Sequence, residues 1–246
     1  MNKIKVTMTN HSLHYSDRYL SRNAVITSSK KINNIESNVA DMLLDYENYT
    51  LKPLESCLKY GHDSVLEHVS YTFVIDGASR SLLAQIIRHR LFSFTSGSQH
   101  YINYSEIGGF EVPVEILNES IEFQTKYQDT LANCMENYKK LIEMGLDHSV
   151  ARQVLPNAMR NNLVMTGNLR EWKNFLAQRL CGRNTSEIEY IAYLIYKELE
   201  KYNPLVMKYT GPACKVFGKC NQGDKSCGQI YSEEKYKEKF KLLLEE

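Results

Sequence analysis

The stretch Val69-Ser70-Tyr71-Thr72-Phe73-Val74-Ile75-Asp76-Gly77-Ala78-Ser79-Arg80-Ser81-Leu82-Leu83-Ala84-Gln85-Ile86-Ile87-Arg88-His89-Arg90 changes character at its middle. Its first seven residues are rich in β-branched and aromatic side chains and read as a strand that stops at Asp76-Gly77. From Ser79 to Ile87 the apolar residues recur at helical spacing, so a helix delivers Arg88 at or near its C-terminal end. A helix dipole favours cations there, which is one plain reason for the charge. Two guanidiniums and an imidazole beside an apolar run are nonetheless costly to desolvate unless an anion meets them. Arginine presents a planar, permanent charge suited to phosphate or carboxylate. The next segment, Phe94-Thr95-Ser96-Gly97-Ser98-Gln99-His100-Tyr101, can add hydroxyls and backbone N–H groups to the same anion. The cluster therefore reads either as a site for a phosphorylated, nucleotide-like ligand or as a structural salt-bridge cluster.

Upstream, residues 3–8 alternate with a period of two and read as a first strand. Residues 35–44 and 51–60 read as helices, the second closed by Gly61. Asp63 or Ser64 can cap a short turn that places Glu67 and His68 before the strand at 69–75. Downstream, 116–143 reads as one long amphipathic helix and 149–154 as a shorter one halted by Pro156. Residues 161–167 read as a strand or an extended turn, and 169–180 and 186–202 as helices. After Pro204 comes a Gly/Cys/Lys-rich loop, then a charged helix over 232–246 that either docks on a partner subunit or frays. The expected class is α+β: helices packed on a small, mainly antiparallel sheet, with 1–210 as a catalytic unit and 211–246 as an extension.

At 246 residues, 43% apolar and 24% charged, the chain is long enough to bury a real core. Its net charge of +1 provides no overall field for nucleic acid or a membrane surface. The first ten residues lack the apolar core of a signal peptide, and no apolar run reaches the ~20 residues of a membrane span, so a cytoplasmic location is expected. The six cysteines are too irregularly spaced for a small disulfide scaffold. Cys57, Cys134 and Cys181 read as packing residues. Cys214-x5-Cys220-x6-Cys227 contains no C-x2-C pair and no neighbouring His, so no metal site is expected there. The His62-x4-Glu67-His68 spacing likewise differs from the H-x2-E-H that sets two zinc ligands one helical turn apart.

With Arg88-His89-Arg90-x7-Ser98 on the page, the chain resembles the flavin-dependent thymidylate synthases, whose signature is an RHR triplet with a serine after seven residues. Three further blocks stand in the matching order. Gly61-His62-Asp63-Ser64-Val65-Leu66-Glu67-His68 resembles the family's GHxSxxEH, Arg152-x2-Leu155-Pro156 its ARxxLP, and Asn168-x-Arg170-x3-Asn174-Phe175-Leu176-x2-Arg179 its NxRxxxNFLxxR. The resemblance implies FAD as cofactor, methylenetetrahydrofolate as carbon donor, NADPH as reductant, and C5-methylation of dUMP to dTMP. It also implies a homotetramer with active sites shared between subunits, and no cysteine nucleophile. Carried over by position, it implies that His62, Ser64, Glu67, Arg88, His89, Arg90, Ser96, Asn168, Leu169, Arg170 and Asn174 line the flavin site. Gln85, Arg88, Ser98, Gln99, His100, Arg152 and Arg179 would hold the nucleotide, Arg152 across a subunit interface. Arg179 is the catalytic candidate, because a guanidinium at the uracil edge stabilises charge at N3 and O2 as C5 becomes nucleophilic. Ser98 has no evident base partner, so it reads as a phosphate contact and not as a nucleophile.

Three departures bear on the substrate. The family usually has an acidic or amide residue two before the serine and an arginine two after it; here these are Ser96 and His100. Histidine offers a switchable charge where arginine has a permanent one. Losing a bidentate charged contact costs on the order of 1.5–3 kcal/mol, about tenfold to a hundredfold in affinity. Asn184-Thr185-Ser186 stands where Ala-Gln-Trp is common. Alternatives to dUMP methylation are therefore another uracil nucleotide such as UMP, or a relative that has lost the reaction. A module binding nucleic acid through Arg88 to Arg90, Tyr101, Tyr104 and the Cys/Lys-rich tail is a different class, opposed by the near-zero net charge.

Overall fold

In a computed structural model, residues 4–14, 16–27, 29, 38–107 and 109–244 are described. The chain runs β1 (Lys5–His11), α1 (Asp17–Ala24), α2 (Val39–Leu44), α3 (Lys52–Tyr60), a 3-10 turn (Asp63–His68), β2 (Ser70–Ser79), α4 (Arg80–Ile86) and β3 (Ser93–Ser96). It continues with α5 (Val114–Leu117), α6 (Ile121–Glu143), α7 (His148–Ala151), β4 (Arg160–Asn168), α8 (Leu169–Arg179) and α9 (Ser186–Glu200). The shorter α10 (Pro204–Lys208), α11 (Ala213–Phe217), α12 (Glu233–Lys239) and α13 (Lys241–Leu244) follow. The class is α+β, as expected.

The four strands form one antiparallel sheet in the order β1-β2-β4-β3. Alternation along β2 turns Tyr71, Phe73 and Ile75 inward, and Leu163 and Met165 of β4 join them. Helices α8 and α9 supply the facing layer. Trp172 stands edge-on to Phe73 and Phe92, at ring separations of 5.0 and 4.6 Å, and its indole N–H donates to the carbonyl of Gly167 at 3.1 Å. A side chain at Gly167 would sit 2.4 Å from the Phe92 ring, so the aromatic stack requires glycine there.

Several boundaries differ from the sequence expectation for local reasons. Asp76-Gly77 does not end β2. Gly77 takes φ 81°, the register shifts between Ile75 and Ala78, and the strand resumes to Ser79. Ser79 then caps α4 by accepting from the Leu82 N–H at 2.9 Å. The long helix is two, because Ser120 caps α6 and separates it from α5. Residues 160–168 are a strand, and β3 was not foreseen: its four residues pair only because β4 offers an edge. Of the helix expected over 35–44, the described part is α2, with residues 35–37 outside the described residues. Gly61 closes α3 in the left-handed region at φ 73°, as expected. Neither Asp63 nor Ser64 caps the following turn; Asp63 instead pairs with Lys173 of α8 at 2.6 Å.

The C-terminal helices α12 and α13 pack against the rest of the chain, the last two positions of the helix expected over 232–246 lying outside the described residues. Phe240 and Tyr236 are buried against α9 and the end of α8. Phe240 lies 5.1 Å from the Tyr190 ring, and Lys239 pairs with the buried Glu189 at 2.5 Å. No helix among the described residues is long and apolar enough to cross a membrane.

Candidate active site

The RHR triplet follows directly from α4. The helix ends at Ile86, Ile87 caps it, and the chain turns through Arg88-His89-Arg90 before β3. Arg88 and Arg90 are exposed, whereas His89 is half-buried, edge-on to Phe175 of α8 with ring centroids 5.0 Å apart. Burial, and then the nearby Arg179 charge, push the His89 pKa down to about 4. His89 is therefore neutral at physiological pH.

Arg179, the last residue of α8, reaches the same point. Its Nε donates to His89 Nε2 at 2.9 Å, so the imidazole proton sits on Nδ1. One terminal nitrogen donates to Asn184 Oδ1 at 3.1 Å and the other to the Gln85 carbonyl at 3.4 Å. All three acceptors are neutral. Burial and the positive charge of Arg88 both push the Arg179 pKa down, so two guanidiniums meet here with no carboxylate among those hydrogen-bond partners. Of the five guanidinium N–H groups, these bonds use three, and the other two can meet a ligand. Such an uncompensated, half-buried positive charge fits an anionic nucleotide and an electron-rich flavin, and it does not read as a salt-bridge cluster.

The remaining expected residues fall into two further groups. One joins the 3-10 turn to α8: Glu67 pairs with Arg170, and Asp63 with Lys173. His62, Ser64 and Asn174 are exposed beside them, while Leu169 is buried in the core. Asn168 caps α8, its Oδ1 accepting from the Glu171 N–H at 3.0 Å. Arg170 and Asn174 are one helical turn apart, whereas Arg179 belongs to the other side of α8 with Phe175. Arg170 and Arg179 therefore lie on different sides of α8, and the Gln178 amide between them donates to Asn174 Oδ1 at 3.2 Å.

The other group is the loop after β3. Ser98 Oγ accepts from the His100 N–H at 3.2 Å, and Tyr101 and Ile102 N–H groups donate to the Ser98 carbonyl, which makes a compact turn. Ser96, Ser98, Gln99 and His100 thus share one exposed or half-exposed surface. The His100 carbonyl lies 3.1 Å from His148 Nε2 of α7, and Arg152 begins the turn that follows α7.

Two cavities border these groups. One of about 650 Å³ lies beyond the end of α8, and Cys181, Cys214, Cys220 and Cys227 all line it. Cys181 therefore lies near the C-terminal cysteines at this cavity. Among the described residues, no three His, Cys, Asp or Glu side chains stand close enough to hold a metal ion. The second cavity, about 1000 Å³, runs from Gly97 past Asn161 and Arg160 to Glu111. Burial, then the charge of Glu187, push the Glu111 pKa up to about 7. Sequence reasoning missed Asn184 as a partner of Arg179, and Glu111 and Arg160 as residues lining the second cavity. Asn184 alone carried a signal, by standing where the resembled pattern differs.

A family model described as thymidylate synthase complementing protein matches residues 9–205. The chain belongs to this family, the flavin-dependent thymidylate synthases. It is 37% identical over 185 residues to the flavin-dependent thymidylate synthase of Pyrococcus furiosus, covering 72% of this chain and 75% of that one. With the enzyme of the same name from Clostridium tetani it shares 34% over 223 residues, 83% of this chain and 88% of the relative. With that of Geobacter sulfurreducens it shares 32% over 176 residues, 72% and 75% of the two chains.

Proposed function

We propose that this flavin-dependent thymidylate synthase methylates dUMP at C5 to give dTMP, with Arg179 activating the uracil ring. The observation that carries the reading is the Arg179 guanidinium, fixed by three neutral acceptors beside Arg88. Held this way, its charge is undiminished and its two other N–H donors are oriented before substrate arrives. Negative charge developing at N3 and O2 is stabilised by donors that need no reorganisation. Flavin, taken here as FAD, supplies the electrons that reduce the carbon unit donated by methylenetetrahydrofolate, and NADPH replenishes them.

The chain's own residues divide the binding work. Arg88 and Arg90 provide permanent charge for flavin, and His89, locked neutral, orients Arg179. Gln85, Arg88, Ser98, Gln99, His100, Arg152 and Arg179 bind the nucleotide, the exposed Ser98 turn meeting its phosphate. His62, Ser64, Glu67, Ser96, Asn168, Arg170 and Asn174 complete the flavin site, whereas the side chain of Leu169, fully buried in the core, is not available to line it. In this reading a complete site is assembled between copies of the chain. A homotetramer in the cytoplasm is the assembly this reading requires. Residues 1–210 form the catalytic unit and 211–246 an extension braced on α9. His100 in place of the family's arginine favours a weakened hold on the nucleotide phosphate, with UMP as the second substrate to examine.

Arg179→Ala tests the reading. The variant is expected to fold and keep the flavin absorbance of the wild type while turnover falls at least about a hundredfold. Full turnover in that variant would remove Arg179 from its role.

A further inference from the structure

Asn184 lies five residues beyond Arg179, past the end of α8, and has no role in the site as described so far except to receive one N–H. Its amide divides its two ends between different tasks. The Nδ2 group lies 2.8 Å from the carbonyls of Gln178 and Cys181 and 3.4 Å from that of Arg179, so it closes the exposed carbonyls of the helix end. Its own backbone N–H donates to the Cys181 carbonyl at 3.0 Å, which fixes the residue from behind. The Oδ1 atom, left pointing inward, accepts from Arg179 at 3.1 Å.

Closing a helix end explains the Nδ2 contacts and leaves the Oδ1 contact unexplained. A carboxylate at this position would hold the guanidinium and also neutralise it. An amide holds it without doing so. With Nε engaged by His89 and one terminal nitrogen by the Gln85 carbonyl, the Asn184 bond removes the last rotation available to the fork.

We propose that Asn184 is a positioning residue for the methylation reaction, holding the Arg179 guanidinium so that its two remaining N–H donors face the uracil edge. The proposal rests on the reading of Arg179 as the activating group. Arginine misaligned by a fraction of an ångström still binds nucleotide but stabilises the transition state less, so the loss falls on kcat.

A double-mutant cycle separates this role from simple helix capping. Asn184→Ala, made in the wild type, should lower kcat about tenfold and leave the KM for dUMP within about twofold. In an Arg179→Lys background, where no fork remains to be aligned, the same change should lower kcat less than about twofold. Loss of the carbonyl contacts should lower the melting temperature equally in both backgrounds. An unchanged kcat for Asn184→Ala, or a full tenfold loss again on top of Arg179→Lys, would overturn the proposal. Full activity of Arg179→Lys by itself would instead strike at the role of Arg179. Should the alanine variant fail to fold, Asn184→Ser, too short to reach the guanidinium, carries the same cycle with the same expectations.

Discussion

A guanidinium held by an imidazole nitrogen, an amide oxygen and a main-chain carbonyl keeps its charge for whatever arrives next. That is the chemistry of Arg179, and it depends on His89 staying neutral. Because burial depresses the His89 pKa to about 4, acid works against the arrangement. The folded chain binds a proton there more weakly than the unfolded one, so this contribution to stability is full above about 6.5 and falls as pH drops toward 4. His100 poses the other residue-scale question. It is exposed on the Ser98 turn, stacked edge-on with Tyr101 at 4.7 Å, and stands where the family usually has arginine. His100→Arg should tighten dUMP binding about tenfold, read as the dissociation constant by calorimetry. An unchanged or weaker constant would mean that the turn meets the nucleotide differently.

At the scale of elements, α8 does two jobs. Its first turn receives the cap of Asn168 and carries Arg170, while its last residue presents Arg179. Asn168→Ala should cost about 1 kcal/mol of stability through the lost cap. If Asn168 also meets flavin, flavin affinity should fall in that variant and remain reduced in Asn168→Ser, which restores a capping oxygen. Flavin affinity equal to wild type in both would leave Asn168 as a cap alone. Much of this element was legible in the sequence, because Asn168, Arg170, Asn174 and Arg179 stand in a block that resembles the family's, within a stretch of helical periodicity. Strand β3 was not legible. Ser93 to Ser96 is only four residues long, with just Phe94 and Thr95 favouring a strand, and its pairing is dictated by the open edge of β4. The Asn184 contact was invisible for a related reason: a hydrogen bond between a helix end and the turn beyond it depends on how the chain reverses, which residue types alone do not specify.

Across the whole molecule, the sheet, α9 and the segment before α5 converge on a buried set of charges. Glu111 is 7% exposed, Glu187 accepts from the Ser79 N–H and hydroxyl at 2.6 Å, and Arg160 supplies the positive charge acting on both. Raising a carboxyl from 4.5 to about 7 means that the folded state holds the proton more tightly than the unfolded chain. Stability is therefore lost as pH climbs through that window, by on the order of 3 kcal/mol when complete. Glu111→Gln should raise the melting temperature at pH 8 and change it little at pH 4.5. Equal shifts at both values would show that ionisation of Glu111 is not the cause. The C-terminal helices belong to this same scale, since Phe240 and Tyr236 complete the core beside α9.

The central claim is methylation of a uracil nucleotide, and mass spectrometry of the nucleotide products tests it most directly. Purified enzyme would be incubated with FAD, methylenetetrahydrofolate and NADPH, with dUMP and UMP in parallel reactions. The account predicts a methylated product from dUMP, lost on Arg179→Ala, with UMP converted more slowly or not at all. Flavin bound and reducible, but no methylated product from either nucleotide, would contradict it.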